Sequence, residues 1–345
     1  MLRYQLSLRK PVGKKYLVMN LGQGESGWQE YDKTKPITIE YFDDAPSGGF
    51  NTATYRKFKI AFRRCRAGTY WMGSPETEDG RGENEKRHLV TLTNDFYLAI
   101  LPLTGSHAWC LASQGGDHAW YGWENTFCHL SPIVTYRGLS TDAKWSSDSS
   151  VSETSFIGKI RNRMPTTGIG LPAGYVIDLP TEAQWEYACR AGTTSAFNNG
   201  EEPDYYDVYD VSGTYYPSAT PVPGYKSCHT LDKLGRYCGN GGVWQQNKAP
   251  ENQFGGKFAA NAWGFYDMHG LYSEICLDTY VQDLGAEHQI EPSNRGTSGL
   301  QVVRGGGWLT SASSCRSACR SSYDLQWSHS NAYGVRLAIV PGNLD

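Results

Sequence analysis

Thiols and imidazoles are the groups in this chain whose spacing most directly tests for chemistry. Nine cysteines stand at positions 65, 110, 128, 189, 228, 238, 276, 315 and 319. Their number is odd, the chain is 345 residues long and no Cys-x-x-Cys occurs, so neither a disulfide framework nor a zinc site is expected. Most read as small buried hydrophobes. Cys228 and Cys238 flank a loop and can pair; Cys315 and Cys319, four apart, offer another pair. The eight histidines are scattered, with no His-x-x-x-His beside a carboxylate, and read as structural. Glu182, Glu186 and Glu274 have the charge for acid–base work, but the cap and surface of a helix explain the first two. Gly239-Asn240-Gly241-Gly242 is a turn, lacking the Lys and helix of a phosphate loop. Trp120, Trp123 and Trp145 either line a carbohydrate site or pack in a core, the second being preferred.

Composition bounds the partners. Apolar residues make up 39% and charged residues 19%, enough for a sizeable core and unlike a disordered chain. The 39 glycines, 23 tyrosines and 11 tryptophans suggest short strands and long ordered loops packed with rings. A net charge of −3 predicts no nucleic-acid partner. No run approaches the ~18 apolar residues of a membrane span, so no membrane insertion is expected. The first twenty residues lack the apolar stretch of a signal peptide.

The elements that must position any site follow from periodicity. At about 150 residues per domain, length alone suggests two domains. In residues 1–57, Tyr16–Met19 and Ile37–Phe42 read as strands, and this section is expected to be an extension packed on the main body. Arg56, Lys57, Lys59, Arg63, Arg64 and Arg66 alternate with Phe58, Ile60 and Phe62, which reads as a strand with one wet face. A strand ends at Tyr70–Ser74. Glu76–Arg87 is almost wholly polar and is expected to be exposed. His88–Thr93 and Phe96–Ile100 read as further strands. The clearest helix spans 180–192. Thr181 and Gln184 form a capping box, Glu182 suits the first turn, Trp185, Ala188 and Cys189 share a face, and Gly192 fits the stop. Thereafter Gly, Asn, Pro and Tyr dominate. The fold class is α+β, with function carried on loops.

Four segments carry a resemblance. They are Met72-Gly73-Ser74 with Phe96-Tyr97; Leu179–Gly192 (LPTEAQWEYACRAG); Asn261–Gly270 (NAWGFYDMHG); and Val303–Trp308 (VRGGGW) with Cys315–Ala318 and Gly334–Ala338 (GVRLA). In this order they resemble the formylglycine-generating-enzyme (sulfatase-modifying factor) family. The resemblance implies one elaborated C-type-lectin-like domain over residues 58–345, which overrides the two-domain expectation. Enzymes of the family oxidise a sulfatase cysteine to formylglycine with two cysteines, five apart, that bind the soft ion copper(I). Here Thr310 stands at the first of those positions and only Cys315 matches the second, so the oxidase is the alternative function and a non-catalytic protein the preferred one. The family also continues its third motif with Asn and Glu that help to hold calcium. This chain reads Gly270-Leu271-Tyr272-Ser273-Glu274-Ile275, which leaves Glu274 as a remnant calcium ligand and makes calcium the one cofactor to consider.

The departures cluster in segments that the family fold brings to one face. Leu309, Thr310, Ser311, Ser313, Ser314, Cys319, Ser321, Tyr323 and Asp324 are short polar or aromatic residues among scaffold-like ones, the composition of an antibody paratope. Each fits the products of adenine mutagenesis at Asn-type codons, and the stretch resembles the variable region of proteins diversified by retroelements. The other reading of the stretch is a solvated Ser-rich loop. Adding Leu271, Tyr272, Ser273 and Ile275 gives an expected variable binding region over about 271–335. The expected function is recognition of a protein or glycan ligand; the compartment is left open, with a cell surface or a phage particle as options.

Overall fold

The computed structural model describes residues 13–21, 36–112, 151, 153, 156–209, 221–240, 255–294, 300–324 and 333–342. Trp120, Trp123, Trp145, Gly241 and Gly242 lie outside them, as do parts of the expected variable region (295–299 and 325–332).

The chain opens with β1 (Tyr16–Asn20), β2 (Thr38–Phe42), helix α1 (Ala53–Lys57), β3 (Lys59–Cys65), β4 (Gly68–Met72), β5 (His88–Leu92) and β6 (Phe96–Ala99). Helices α2 (Gly105–Ala112) and α3 (Phe156–Asn162), strand β7 (Tyr175–Asp178) and helix α4 (Glu182–Arg190) follow. The remaining strands are β8 (Tyr205–Tyr209), β9 (Pro221–Cys228), β10 (Ser273–Thr279), β11 (Gln289–Ile290), β12 (Gln301–Arg304), β13 (Arg320–Tyr323), β14 (Tyr333–Val335) and β15 (Ala338–Pro341). Short strands, few helices and long connections make this an α+β fold.

The largest sheet has the order β2-β1-β3-β6-β15-β7. Strands from both ends of the chain therefore share one sheet, with β15 between β6 and β7 and β1 paired to β3. A second sheet, β13-β12-β10-β14, carries the C-terminal motifs; β14 runs parallel to β10 and the other pairs are antiparallel. A small sheet (β11-β5-β4) and the β8–β9 hairpin complete it. One apolar cluster joins the large sheet to Ile275, Val303 and Val335; another packs α4 through Trp185, Ala188 and Cys189 against Phe96, Phe265 and Val302.

Three expectations are corrected by tertiary packing. The basic stretch is not a strand with one wet face. Arg56 and Lys57 belong to α1, and β3, flanked by β1 and β6, buries Ile60, Ala61 and Phe62 in succession. A strand covered on both sides loses its alternation. The loop Glu76–Arg87 is not wholly exposed, because Glu78 and Glu85 are buried against Arg316. The capping box of α4 forms as expected: Gln184 N donates to Thr181 Oγ1 (3.1 Å) and Thr181 N to Gln184 Oε1 (3.0 Å). Yet α4 has no free acidic surface. Glu182 and Glu186 are both buried and ion-paired. The left-handed stop of α4 begins at Ala191 (φ 49°), with Gly192 (φ 96°) after it.

Candidate binding surface

Four arginines hold the C-terminal segment from beneath. Arg304 bonds Glu186, and its two terminal nitrogens also reach the carbonyls of Ala318 (2.8 Å), Cys319 (2.6 Å) and Ser317 (3.1 Å). Glu186 also accepts from Arg190 (2.8 Å) and from Gly73 N (2.8 Å). Arg316 makes a bidentate pair with Glu85 (2.7 and 2.8 Å) and reaches Glu78 (2.5 Å). Arg320 makes another with Glu182 (2.5 and 2.9 Å), and Arg336 a third with Glu274 (2.6 and 2.8 Å). All four are buried. Burial works against the charge of Arg304, but Glu186 and Glu182 outweigh it and hold the guanidinium above its ordinary pKa. Burial likewise opposes the charge of Glu186, and Arg190 and Arg304 overcome it to hold the carboxyl below its usual range. Breaking one such pair strands a buried charge, at a cost of about 3–5 kcal/mol.

On this frame the expected site residues divide. Leu309 is 44% exposed, Ser321 is exposed, and Thr310, Ser311, Ser313, Ser314, Cys319, Tyr323 and Asp324 are half-buried. Residues 309–314 surround a 3-10 turn at Ala312–Cys315, where the Ser311 and Ser313 hydroxyls are 2.8 Å apart. Residues 321–323 lie on β13, an edge of its sheet, and Tyr323 packs on Tyr333 with ring centroids 3.9 Å apart. Between the two groups, Cys315–Ala318 is buried. Leu271, Tyr272, Ser273 and Ile275 are corrected. They are only 2% to 6% exposed: Ser273 and Ile275 lie on β10, interior to its sheet between β12 and β14, and Leu271 and Tyr272, just before it, pack with Phe50, Ile100 and Trp308. They cannot touch a ligand from the core.

The calcium expectation at Glu274 is corrected too. Its carboxylate accepts from Arg336 on both oxygens and from Trp185 Nε1 (2.7 Å), so a guanidinium takes the place a cation would need. Leu271, where the family carries Asn, keeps a left-handed backbone (φ 70°) that Asn tolerates better than Leu. Among the described residues no group of three His, Cys, Asp or Glu is arranged to hold a metal.

Thiol chemistry finds little support in the geometry. Thr310 Oγ1 lies 3.7 Å from Cys315 Sγ, so the pair position opposite Cys315 is occupied by a hydroxyl. A Cβ at Gly306 (φ 65°) would fall 2.6 Å from Cys315 Sγ, so the turn over this thiol requires glycine. Burial pushes the Cys315 thiol above its ordinary range and that of Cys319 up to about 11, opposite to the thiolates copper(I) selects. Cys228 and Cys238 are free thiols, so the loop pairing is corrected. One packing was not legible in the sequence: Gly80, on a distant loop, leaves room where a Cβ would fall 2.9 Å from Tyr205 Oη and 3.1 Å from Ser313 Cβ. Contacts between remote loops leave no periodic signal.

A curled α+β scaffold with an ionically braced C-terminal segment is the class of protein these elements define, a C-type-lectin-like domain. The model of the sulfatase-modifying factor enzyme 1-like domain matches residues 62–340, and the chain belongs to that family. Among solved structures it is similar to Treponema denticola variable protein 1 (16% identity, TM-score 0.52, 81% of this chain and 95% of that one). It is also similar to PvdO from Pseudomonas aeruginosa (19% identity, TM-score 0.50, 81% and 94%). At these identities the likeness concerns the fold. No curated protein sequence matches the chain significantly.

Proposed function

We propose that the chain is a non-catalytic recognition protein that presents a diversifiable surface, residues 309–311, 313 and 314 with 319, 321, 323 and 324, to a protein or glycan ligand. The observation that carries this is the separation of roles along one segment. The arginines and Cys315 face inward, while Ser, Thr, Leu and Tyr side chains reach the surface. Side chains in that position change contacts at little cost to the fold. A structural relative titled a variable protein agrees with this use of the scaffold. Among the described residues no helix is long and apolar enough to cross a membrane.

The test is to sequence the DNA beside the gene. The expected result is a reverse-transcriptase gene with a near-copy of the codons for 309–324 that differs at adenines, and no such differences at 271–275. A neighbouring sulfatase gene without that repeat would overturn the proposal in favour of the oxidase. Copper(I) titration gives a second check: tight stoichiometric binding lost in Cys315→Ser would also favour the oxidase.

A further inference from the structure

Beside the diversifiable strand lies a cleft that recognition by 309–324 does not use. Its volume is about 450 Å³, and it opens between the start of α4, the end of β10 and the 281–294 loop. That size is in the range of small-ligand pockets. Its apolar lining is aliphatic: Met72, Val281, Leu284, Ile290 and Pro292, with no aromatic ring. Ile290 is 54% exposed at the rim, a large apolar side chain left to water. The carboxylates at its back are already engaged. Glu182 holds Arg320, and Asp278 accepts from Glu182 N (2.6 Å) and Asn294 N (2.7 Å). By contrast Ser293 Oγ lies buried in the wall with no hydrogen-bond partner among the described residues. A buried hydroxyl without a partner costs free energy that an incoming polar group would recover.

The cleft wall is tied to the proposed surface through one side chain. Arg320, next to Ser321 on β13, bonds both Glu182 and the Val281 carbonyl (3.0 Å), two parts of the cleft wall. Asn84 ties the same corner by donating to the Arg320 carbonyl (3.2 Å) and to Tyr280 Oη (2.7 Å). Arg320 is thus a fixed post between cleft and edge strand. None of the cleft-lining residues belongs to the diversifiable set.

We infer that this cleft is a constant anchor pocket for an aliphatic side chain of a polypeptide ligand, whose adjoining residues are read by the variable positions. The inference rests on the recognition function above and narrows the ligand to a polypeptide. Aliphatic walls favour Leu, Ile or Met, and Ser293 Oγ stands ready for a carbonyl or amide of the ligand backbone. A constant anchor would let every variant of the surface share one docking register.

The test is titration of the full chain with N-acetyl-leucinamide, followed by backbone amide chemical shifts. The expected result is saturable change confined to amides of the cleft: 72, 182–183 and 278–294. It should be unaltered in Ser321→Ala and abolished in Ser293→Leu, which fills the cleft. Ile290→Asp, at an exposed position, should weaken binding at least severalfold with no change in melting temperature. No saturable change up to the solubility of the probe, or change elsewhere on the protein, would overturn the pocket while leaving the variable surface untouched. Equal binding of N-acetyl-glucosamine in the cleft would overturn the polypeptide assignment. If the flanking DNA lacks the adenine-specific repeat but the probe binds as expected, the recognition function fails and the pocket stands alone.

Discussion

Replacing Asp267 with Asn is expected to stabilise the protein at neutral and alkaline pH and to do little in acid. Asp267 is buried, and burial pushes its pKa from 3.8 up to about 6, aided by Glu274 and opposed by the Gly256 amide, Arg336 and Arg56. The fold therefore prefers the protonated acid. Stability contributed by this group is fully present below about pH 4, falls as the pH rises towards 6, and stays lower above it. A rise from 3.8 to about 6 corresponds to roughly 3 kcal/mol of penalty on the ionised form. Asn keeps an acceptor for Gly256 N, now 2.6 Å from Asp267 Oδ2, and tolerates the φ of 57° at this position. It forfeits the attraction of Arg336 and Arg56, so the net gain is about 1–3 kcal/mol at pH 8. Urea unfolding of both proteins at pH 8 and pH 4 measures it. The gap should shrink to about 0.5 kcal/mol at pH 4, where the folded acid is neutral and the unfolded one is only part-ionised. A variant that is less stable at pH 8, or shifted equally at both values, would refute a buried, protonation-preferring Asp267.

Other expectations follow from the same geometry. Arg336→Met leaves Glu274 buried without its guanidinium and should cost about 3–5 kcal/mol in urea unfolding; a loss below about 1 kcal/mol would mean another cation serves Glu274. Because Arg336 fills that role, a chelator should leave the melting temperature unchanged, and a drop of several degrees with recovery on adding calcium would restore the metal at this site. Thr310→Cys places a thiol where Oγ1 now sits 3.7 Å from Cys315 Sγ. It should close on oxidation into a disulfide, read as loss of two hydrogens in the mass of the intact protein. Two thiols that persist under oxidant would show that the turn holds these side chains apart.

What the sequence made legible was what local rules decide. The Thr181–Gln184 capping box needs four consecutive residues, and it forms as read. β1, β2, β5 and β6 likewise follow from their own apolar runs. What failed were statements about faces. Ser273 and Ile275 looked like altered rim residues, but β10 is interior to its sheet, and pairing with β12 and β14 cannot be read from seven residues. Glu78, Glu85, Glu182 and Glu186 looked like solvated charge. Their burial depends on Arg190, Arg304, Arg316 and Arg320, up to 238 residues away in the chain for Glu78 and Arg316. An ion pair between distant segments has no sequence period.

On the proposed function, those same long-range pairs are what would let the surface vary. Residues 315–320 are held by Arg304 on three of their carbonyls and by Arg316 and Arg320 through their carboxylate partners. The path of the backbone is thereby set by atoms that no variable side chain supplies. Exposed side chains in such a setting change stability by about 0.5 kcal/mol or less, so Ser321 and Leu309 are open to substitution. Ser313 keeps its room because position 80 is glycine: a Cβ there would fall 3.1 Å from Ser313 Cβ and 2.9 Å from Tyr205 Oη. Position 310 is constrained: its hydroxyl both accepts from Gly307 N (2.9 Å) and contacts Cys315 Sγ, so Ser or Thr suits it best. A set of natural variants should accordingly be broadest at 309 and 321 and narrowest at 310.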